Sequence, residues 1–414
     1  MASISSVIFY VLIFLSVYVQ VFFFVTFLEN RKKIIVRNGK IKLSHYPTVT
    51  IIVSCWNEDK TIYKTIRSLL GIDYPKERLK IFLVDDGSID NTWDIMKRFE
   101  KYPSISIFHK ENGGKHTAMN LGLQYVKTEF VACLDADSFV HPQAVNRMMQ
   151  CFLENKDIMA VIPATIIRDP KNFVQKIQKI EYFGSIFVKK MLGFLNGLHV
   201  TPGTLPIYRR EVFDRLGGFR KAHNTEDGEI ALRMHQHNLR IDYCHDAYVY
   251  TVPPDSLYRL YKQRLRWYYG FMKNLIDYRH LLLRPRLGAL SLLTLPSGMV
   301  SIFSVIFLFT VFIFKFGNFL IEKIVEVQAV GFSEILWLSR FDWFYFNIKS
   351  IPLILIVCYS LIIFSILVGR KIVENHFQPS FYIVFYIATY SIIAPIWFLK
   401  AVYNVMVSER PSWR

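Results

Sequence analysis

Four apolar runs decide what this chain can fold into. Residues 7–28 are interrupted only by Ser16, Gln20 and Thr26, and residues 290–314, 351–368 and 381–402 form comparable stretches. A bilayer core of roughly 30 Å takes about 20 helical residues, so each run is long enough to span it. Between the first and second runs lies a long stretch of mixed polarity that holds most of the carboxylates. A water-soluble unit must therefore fold between membrane helices. Composition agrees: 52% hydrophobic and 16% aromatic residues are heavy for a soluble enzyme.

The basic flanks orient this layout. No charge precedes the first run, whereas Arg31, Lys32, Lys33, Arg37 and Lys40 follow it, which places the N-terminus outside and the next unit in the cytosol. A cleaved signal peptide would want a basic start and a shorter apolar core, and neither is present. Arg370 and Lys371 make the last loop cytosolic, and the segment carrying Glu322, Glu326, Glu334, Arg340 and Asp342 external. Four spans return the C-terminus to the outside while Arg410 and Arg414 favour the inside, so that end stays open. The net charge of +17 comes without a nucleic-acid-binding signature. Lys and Arg cluster beside the apolar runs, which suits anionic lipid headgroups and phosphate-bearing substrates. Cys55, Cys133, Cys151, Cys244 and Cys358 show no metal spacing and read as reduced, mostly buried thiols.

Within the mixed stretch, strands are predicted at 49–54, 81–84, 105–109 and 130–134, alternating with helices at 61–70, 91–99 and 117–126. Such alternation implies βαβ units and a largely parallel sheet, which binds ligands at the carboxyl ends of its strands. The polar clusters fall there: Ser54 to Glu58, Asp85 to Ser88, and Asp135-Ala136-Asp137. Residues 181–198, with Lys189 and Lys190 among aromatics, suit an in-plane interfacial helix. Thr201 to Thr204 is a turn, and a helix starts at Glu211. Asn224 to Asp227 cap another helix that runs to about His237, with Thr225 and Glu226 suited to its first turn.

Asp135 and Asp137 sit at i and i+2 where a strand ends, so both carboxylates can face one way. One or two carboxylates plus substrate phosphates are the usual hold on Mg2+ or Mn2+. The bland alternative is a solvated turn, or Asp137 capping a helix. Asp86 can accept from the imide N–H of a uracil while Trp56 packs on the base, or it can be part of a plain Asp-Gly turn. Lys115, after two glycines, can approach a phosphate closely or lie in a flexible loop. Asp227 can take a proton from an attacking hydroxyl, with Glu226 as competitor, or simply cap its helix. If residues 261–270 are helical, Gln263, Arg266 and Trp267 fall at i, i+3 and i+4 on one face, with Arg264 on another flank. That face offers an amide, a guanidinium and a flat ring for phosphate and sugar. Alone, it could be an interfacial helix with snorkelling arginines and belt aromatics.

Taken together, VSCWNE at 53–58, VDDGS at 84–88, GGK at 113–115, LDAD at 134–137, TED at 225–227 and QRLRW at 263–267 resemble the processive, membrane-bound glycosyltransferases of family 2. These are the cellulose, chitin and hyaluronan synthases and the bacterial poly-N-acetylglucosamine synthases. The resemblance covers residues 45 to 285 closely and the flanking spans more loosely. It implies an α/β fold of the GT-A type, a doubly wound mixed sheet in the cytosol with transmembrane and interfacial helices. The divisions are then an anchor and basic linker at 1–44, the transferase domain at 45–254, interfacial helices at 255–289 and a transmembrane region at 290–414.

The resemblance also implies roles. Ser54, Trp56, Glu58, Asp86, Lys115 and Asp135 would bind a UDP-sugar donor, and Asp137 would ligate Mg2+ or Mn2+. Asp227 would be the general base, and Gln263, Arg266 and Trp267 would grip the diphosphate and the acceptor sugar. Trp56 stands where Tyr is commoner, and Thr201 to Thr204 departs from the usual Ser-Gly or Cys-Gly pattern, which bears on the acceptor. The partners implied are the donor (UDP-N-acetylglucosamine first), a growing β-linked polysaccharide, membrane lipid and an accessory membrane subunit. A competing enzyme moves one sugar onto a lipid-linked acceptor and stops, and would not require the QRLRW face. A non-catalytic component that exports or senses polysaccharide would lack the metal or base carboxylates, and here all are present.

Overall fold

The computed structural model describes residues 4–34, 36, 39–330 and 350–411. Arg37, Glu334, Arg340, Asp342 and Arg414, used above to orient the chain, lie outside the described residues. Helix α1 (Ile4–Asn30) takes the first apolar run, and the chain enters the sheet through β1 (Val49–Cys55). Then come α2 (Ile62–Leu70), β2 (Leu79–Asp85), α3 (Thr92–Lys97), β3 (Ile105–His109), α4 (Lys115–Gln124) and β4 (Phe130–Asp135). Each lies within two residues of its predicted bounds, the ordinary uncertainty of element ends.

Successive side chains of a strand point to opposite faces, and β1 is buried on both. Val49, Ile51 and Val53 join Ile62, Ile66 and Leu69 of α2 on one side, while Ile52 meets Ala118 and Met119 of α4 on the other. Register then sets the site. Ser54 pairs with Val84 of β2 on one side and Asp135 of β4 on the other, so three strand ends lie level.

The chain continues through β5 (Ser138–Val140), α5 (Ala144–Glu154), β6 (Ile158–Ile166), α6 (Phe173–Phe194), β7 (Thr204–Arg209), α7 (Glu211–Leu216), α8 (Glu226–Gln236) and β8 (Arg240–Thr251). Among the described residues eight strands form one sheet in the order β3-β2-β1-β4-β7-β6-β8-β5. The β3-to-β4 half is parallel, but β7 runs antiparallel to both β4 and β6, and β5 runs antiparallel to β8. The sheet is mixed, as the fold class requires: its first half is all parallel, and its second half keeps one parallel pair, β6 with β8.

Helix α6 starts at Phe173, eight residues ahead of the predicted 181, because the Asn172 side chain caps it by accepting from the Gln175 N–H. Its mixed polarity has local causes. Phe187 and Met191 join the core under the sheet, Lys190 Nζ donates to the Tyr243 carbonyl at 3.3 Å, and Lys179 pairs with Glu374 at 2.6 Å. The chain ends in α9 (Leu257–Asp277), α10 (Leu295–Val330), α11 (Ser350–Glu374) and α12 (Tyr382–Met406). Among the described residues, four helices (α1, α10, α11 and α12) are long and apolar enough to cross a membrane. Helix α10 carries on through Glu322 and Glu326, beyond the apolar run.

Candidate active site

The level ends of β1, β2 and β4 open on a cleft of about 1430 Å³. Every site residue predicted from the sequence lines it: Ser54, Trp56, Glu58, Asp86, Lys115, Asp135, Asp137, Asp227, Gln263, Arg266 and Trp267. The elements that bring them together are three parallel strands, the first turns of α4 and α8, and one face of α9.

At one end Asp86 is almost wholly buried and organises the loop before α4. Its carboxylate accepts from the backbone N–H groups of Gly113 (3.1 Å) and Gly114 (2.9 Å) and from Lys110 Nζ (2.7 Å). Gly114 sits at φ +92°, a conformation that side chains rarely adopt, so the loop turns into α4 there. Lys110 carried no sequence signal; its role appears only because the loop folds back on β2.

Lys115 is the first residue of α4, and it is fixed rather than in a flexible loop. Its Nζ lies 2.6 Å from Asp135 Oδ1 and 3.0 Å from Glu226 Oε1. Burial alone would lower its pKa, but Asp135, Glu226 and Asp227 outweigh burial and hold the ammonium well above its usual range. Gly203, in the turn before β7, allows this arrangement. Its carbonyl accepts from the Asp135 N–H at 2.8 Å, and a Cβ there would stand 2.6 Å from both Asp135 oxygens and from Lys115 Nζ.

Asp137 is half-buried just past β4, with the Ser138 hydroxyl donating to it at 3.4 Å. Burial, then Asp135 and Glu58, push its pKa up to about 7, against the pull of Lys115. The carboxylate thus sits where negative charge is under-compensated, which is the condition that a divalent cation relieves. Among the described residues no three His, Cys or acidic side chains converge on one point. The donor set fits Mg2+ or Mn2+ held by one or two carboxylates and completed by phosphate oxygens.

The predicted cap of α8 is made differently. Thr225 occupies the N-cap, yet its hydroxyl donates back to the Ala222 carbonyl at 3.0 Å and does not accept from the first turn. The cause is the tight turn before it, where Ala222, His223 and Asn224 all have positive φ. The two acidic residues that follow part ways. Glu226 is buried and tied to Lys115, whereas Asp227 is half-buried, accepts from the Gly228 N–H at 2.9 Å and faces the cleft. Burial, then Glu226, raise the Asp227 pKa to about 6, with Lys115 and Arg266 opposing.

Helix α9 is preceded by Ser256, whose hydroxyl caps it by accepting from the Arg259 N–H. Gln263, Arg266 and Trp267 share its cleft face, and Arg266 Nη1 donates to the Asn224 carbonyl at 3.1 Å. Arg264 departs from the sequence reading. Its guanidinium folds back over the Trp267 ring, 4.2 Å from the centroid, and its Nη2 donates to Glu181 Oε2 at 2.6 Å. The i, i+3 spacing of Arg264 and Trp267 permits this contact, and it was the signal available. Two further groups were missed. Lys189 of α6 lines the cleft, its pKa lowered to about 8 by burial, which outweighs the upward pull of Asp227 and Glu181. His199 lies beside it, lowered to about 4 by burial and then Lys189. Neither stands in a motif.

Residues 50–217 match the family model of Glycosyl transferase family 2. The chain carries a family 2 glycosyltransferase domain. That match contains the site residues from Ser54 to Asp137 and stops short of Asp227 and α9. The chain is 30% identical over 224 residues to the poly-beta-1,6-N-acetyl-D-glucosamine synthase of Staphylococcus epidermidis, covering 54% of each. It is 29% identical over 232 residues to the protein of that name from Staphylococcus aureus strain COL, covering 56% of each. The chain therefore spans about half the length of the curated relatives it matches. A mannosyltransferase from Pyrobaculum calidifontis, solved in complex with GDP-Man and Mn2+, aligns with a TM-score of 0.53. That alignment covers 96% of this chain and 99% of the other at 16% identity, and shows a shared fold. The glycosyltransferase domain is thus a GT-A-like mixed sheet joined to helices apolar enough for a membrane.

Proposed function

We propose that the protein is a hexosyltransferase that moves N-acetylglucosamine from UDP onto the end of a growing β-linked polysaccharide, inverting the anomeric centre. The observation that carries the reading is the position of Asp227. It shares one cleft with Asp137 and Trp267, while its rival Glu226 is tied to Lys115. Gly298 and Ser301 of α10 and Phe398 of α12 line the same cleft as Trp267, so the site that would hold an acceptor reaches the apolar helices. The names of the staphylococcal relatives supply the sugar and the β-linkage.

The chain's own groups divide the work. Ser54, Trp56, Glu58 and Asp86 line the end of the cleft that takes the base. Lys115 and Asp135 form an ion pair beside the sugar and diphosphate, and Arg266 is positioned to meet phosphate. Asp137, with Asp135 next to it, would hold Mg2+ or Mn2+, which when bound neutralises charge on the departing diphosphate. Asp227 accepts the proton of the acceptor hydroxyl on the oxygen not engaged by Gly228. One direct displacement then turns an α-linked donor into a β-linkage, with no carboxylate nucleophile. Gln263 and Trp267 hold the acceptor. The catalytic domain faces the cytosol, where nucleotide sugars would reach it.

The test is a panel of UDP-sugars with Mg2+ or Mn2+ offered to the purified full chain in lipid, followed by sizing of the product. The expected result is a β-linked polymer from UDP-N-acetylglucosamine. A single sugar transferred to extracted lipid would overturn the polymer reading in favour of the non-processive one.

A further inference from the structure

A buried guanidinium is costly unless its charge and its donors are met. Arg264 of α9 is 1% exposed and lies where α9 meets α6 and α12. Its Nη2 donates to Glu181 Oε2 of α6 at 2.6 Å, and its Nη1 donates to Gln263 Oε1 at 3.1 Å. Its guanidinium covers one face of Trp267. The Glu181 oxygen that receives Nη2 also accepts from the Tyr390 hydroxyl of α12, at 2.6 Å. Gln263 and Trp267, the two residues that would hold an acceptor sugar, are thus both touched by one side chain. That side chain is bound through one carboxylate oxygen to the last apolar helix. Helix α12 contains Pro395, which cannot donate to the Ser391 carbonyl, so its hydrogen-bond ladder is interrupted one residue after Tyr390.

We propose that Arg264 is the positioning residue of the acceptor platform: clamped by Glu181 and Tyr390, it sets the pose of Gln263 and Trp267 and couples the grip on the sugar chain to helix α12. The inference deepens the polymer reading and rests on it. Asp137 and Asp227 stand apart from the clamp, so loosening it leaves donor chemistry in place and shortens the time for which the chain is held. The planar guanidinium is needed for this, because a lysine keeps the charge opposite Glu181 but cannot lie flat on an indole while donating to both neighbours.

Arg264→Ala would strand Glu181 and threaten folding, so two milder variants carry the test. Arg264→Lys removes the stack and keeps the pair. Tyr390→Phe keeps the ring and removes only the hydroxyl that reaches Glu181. Each is assayed as the full chain in lipid vesicles with UDP-N-acetylglucosamine and Mg2+ or Mn2+, reading donor KM, initial UDP release and product length. Donor KM stays unchanged, and Arg264→Lys makes products roughly 2- to 30-fold shorter, the range that a cation–π contact carries at tenfold per 1.4 kcal/mol. Tyr390→Phe shifts length in the same direction, and the double variant falls short of the product of the single effects because both cut one tie. Wild-type product length in both variants, or a shortening that only tracks a loss of initial rate, overturns the inference. A wild-type protein that makes single-sugar products refutes the polymer reading and this inference with it. Wild-type polymer with unchanged lengths in the variants refutes the inference alone.

Discussion

Asp227→Asn isolates proton transfer from everything else in the cleft. The amide keeps the side chain's size and can still accept from the Gly228 N–H, as Asp227 Oδ1 does at 2.9 Å, but it cannot take a proton. A positioned general base contributes typically 10²–10⁴-fold, so kcat should fall by about that factor, roughly 3–5 kcal/mol of barrier. UDP affinity should hold, because Trp56 and Asp86 follow β1 and β2 whereas Asp227 stands in the first turn of α8. Burial and Glu226 place the Asp227 pKa at about 6, and a base acts only when deprotonated. The rate kcat/KM should therefore fall about tenfold per pH unit below that value and level off above it. The neighbours give the sign of a second shift. Glu226→Gln removes the charge that raises Asp227 and releases Lys115 to lower it, so the acid limb moves to lower pH. Stability runs the other way from activity. A folded-state pKa raised above its unfolded value contributes stability that is present below the unfolded pKa and lost as pH rises through about 6. At neutral pH Asp227→Asn should thus melt no lower than wild type while losing turnover. The assays are UDP release against pH and thermal melting of the lipid-embedded chain. Wild-type kcat in Asp227→Asn, or an acid limb unmoved by Glu226→Gln, would refute the base assignment.

The remaining predictions concern metal, acceptor and membrane. Asp137→Ala and chelation should each abolish turnover, and full activity in excess chelator would remove the cation from the mechanism. Because protons compete for Asp137 up to about pH 7, the metal concentration for half-maximal rate should rise about tenfold per pH unit below that point. Trp267→Ala should speed chain release about 5- to 150-fold, the equivalent of ~1–3 kcal/mol of stacking, and shorten the polymer without loss of UDP binding. Wild-type length from Trp267→Leu would make the indole a headgroup anchor instead. A reporter inserted near Asn155 should be shielded in intact cells and reactive in inverted vesicles, and labelling from outside the cell would reverse the assigned orientation.

What could be read from the sequence was local. The β-branched run at 49–54 predicts β1, and the carboxylates just beyond three strand ends predict the cleft, because period and position need no partner. Direction was not local: alternation looks the same both ways along a strand, so nothing at 204–209 announced that β7 would reverse the sheet beside β4. Spacing alone left Glu226 and Asp227 equivalent in a first helical turn; the family resemblance named Asp227, and the tie between Glu226 and Lys115 appears only in the fold.

Arg264 lies between these extremes. Its partner Glu181 lies 83 residues upstream, and Tyr390 lies 209 residues beyond Glu181, so no periodicity connects them. Yet two of its properties are written in the local sequence. It stands three residues from Trp267, within reach of the ring on a helix, and its motif precedes apolar helices where solvent is scarce. An arginine that cannot reach water must find an acid, and Glu181 is the one acidic residue of α6. That requirement ties α6 to α9, and once Tyr390 donates to the same oxygen it ties both to α12. The charge that looked like an interfacial ornament on α9 thereby joins Lys179, paired with Glu374, among the contacts through which the sheet domain and the apolar helices constrain each other.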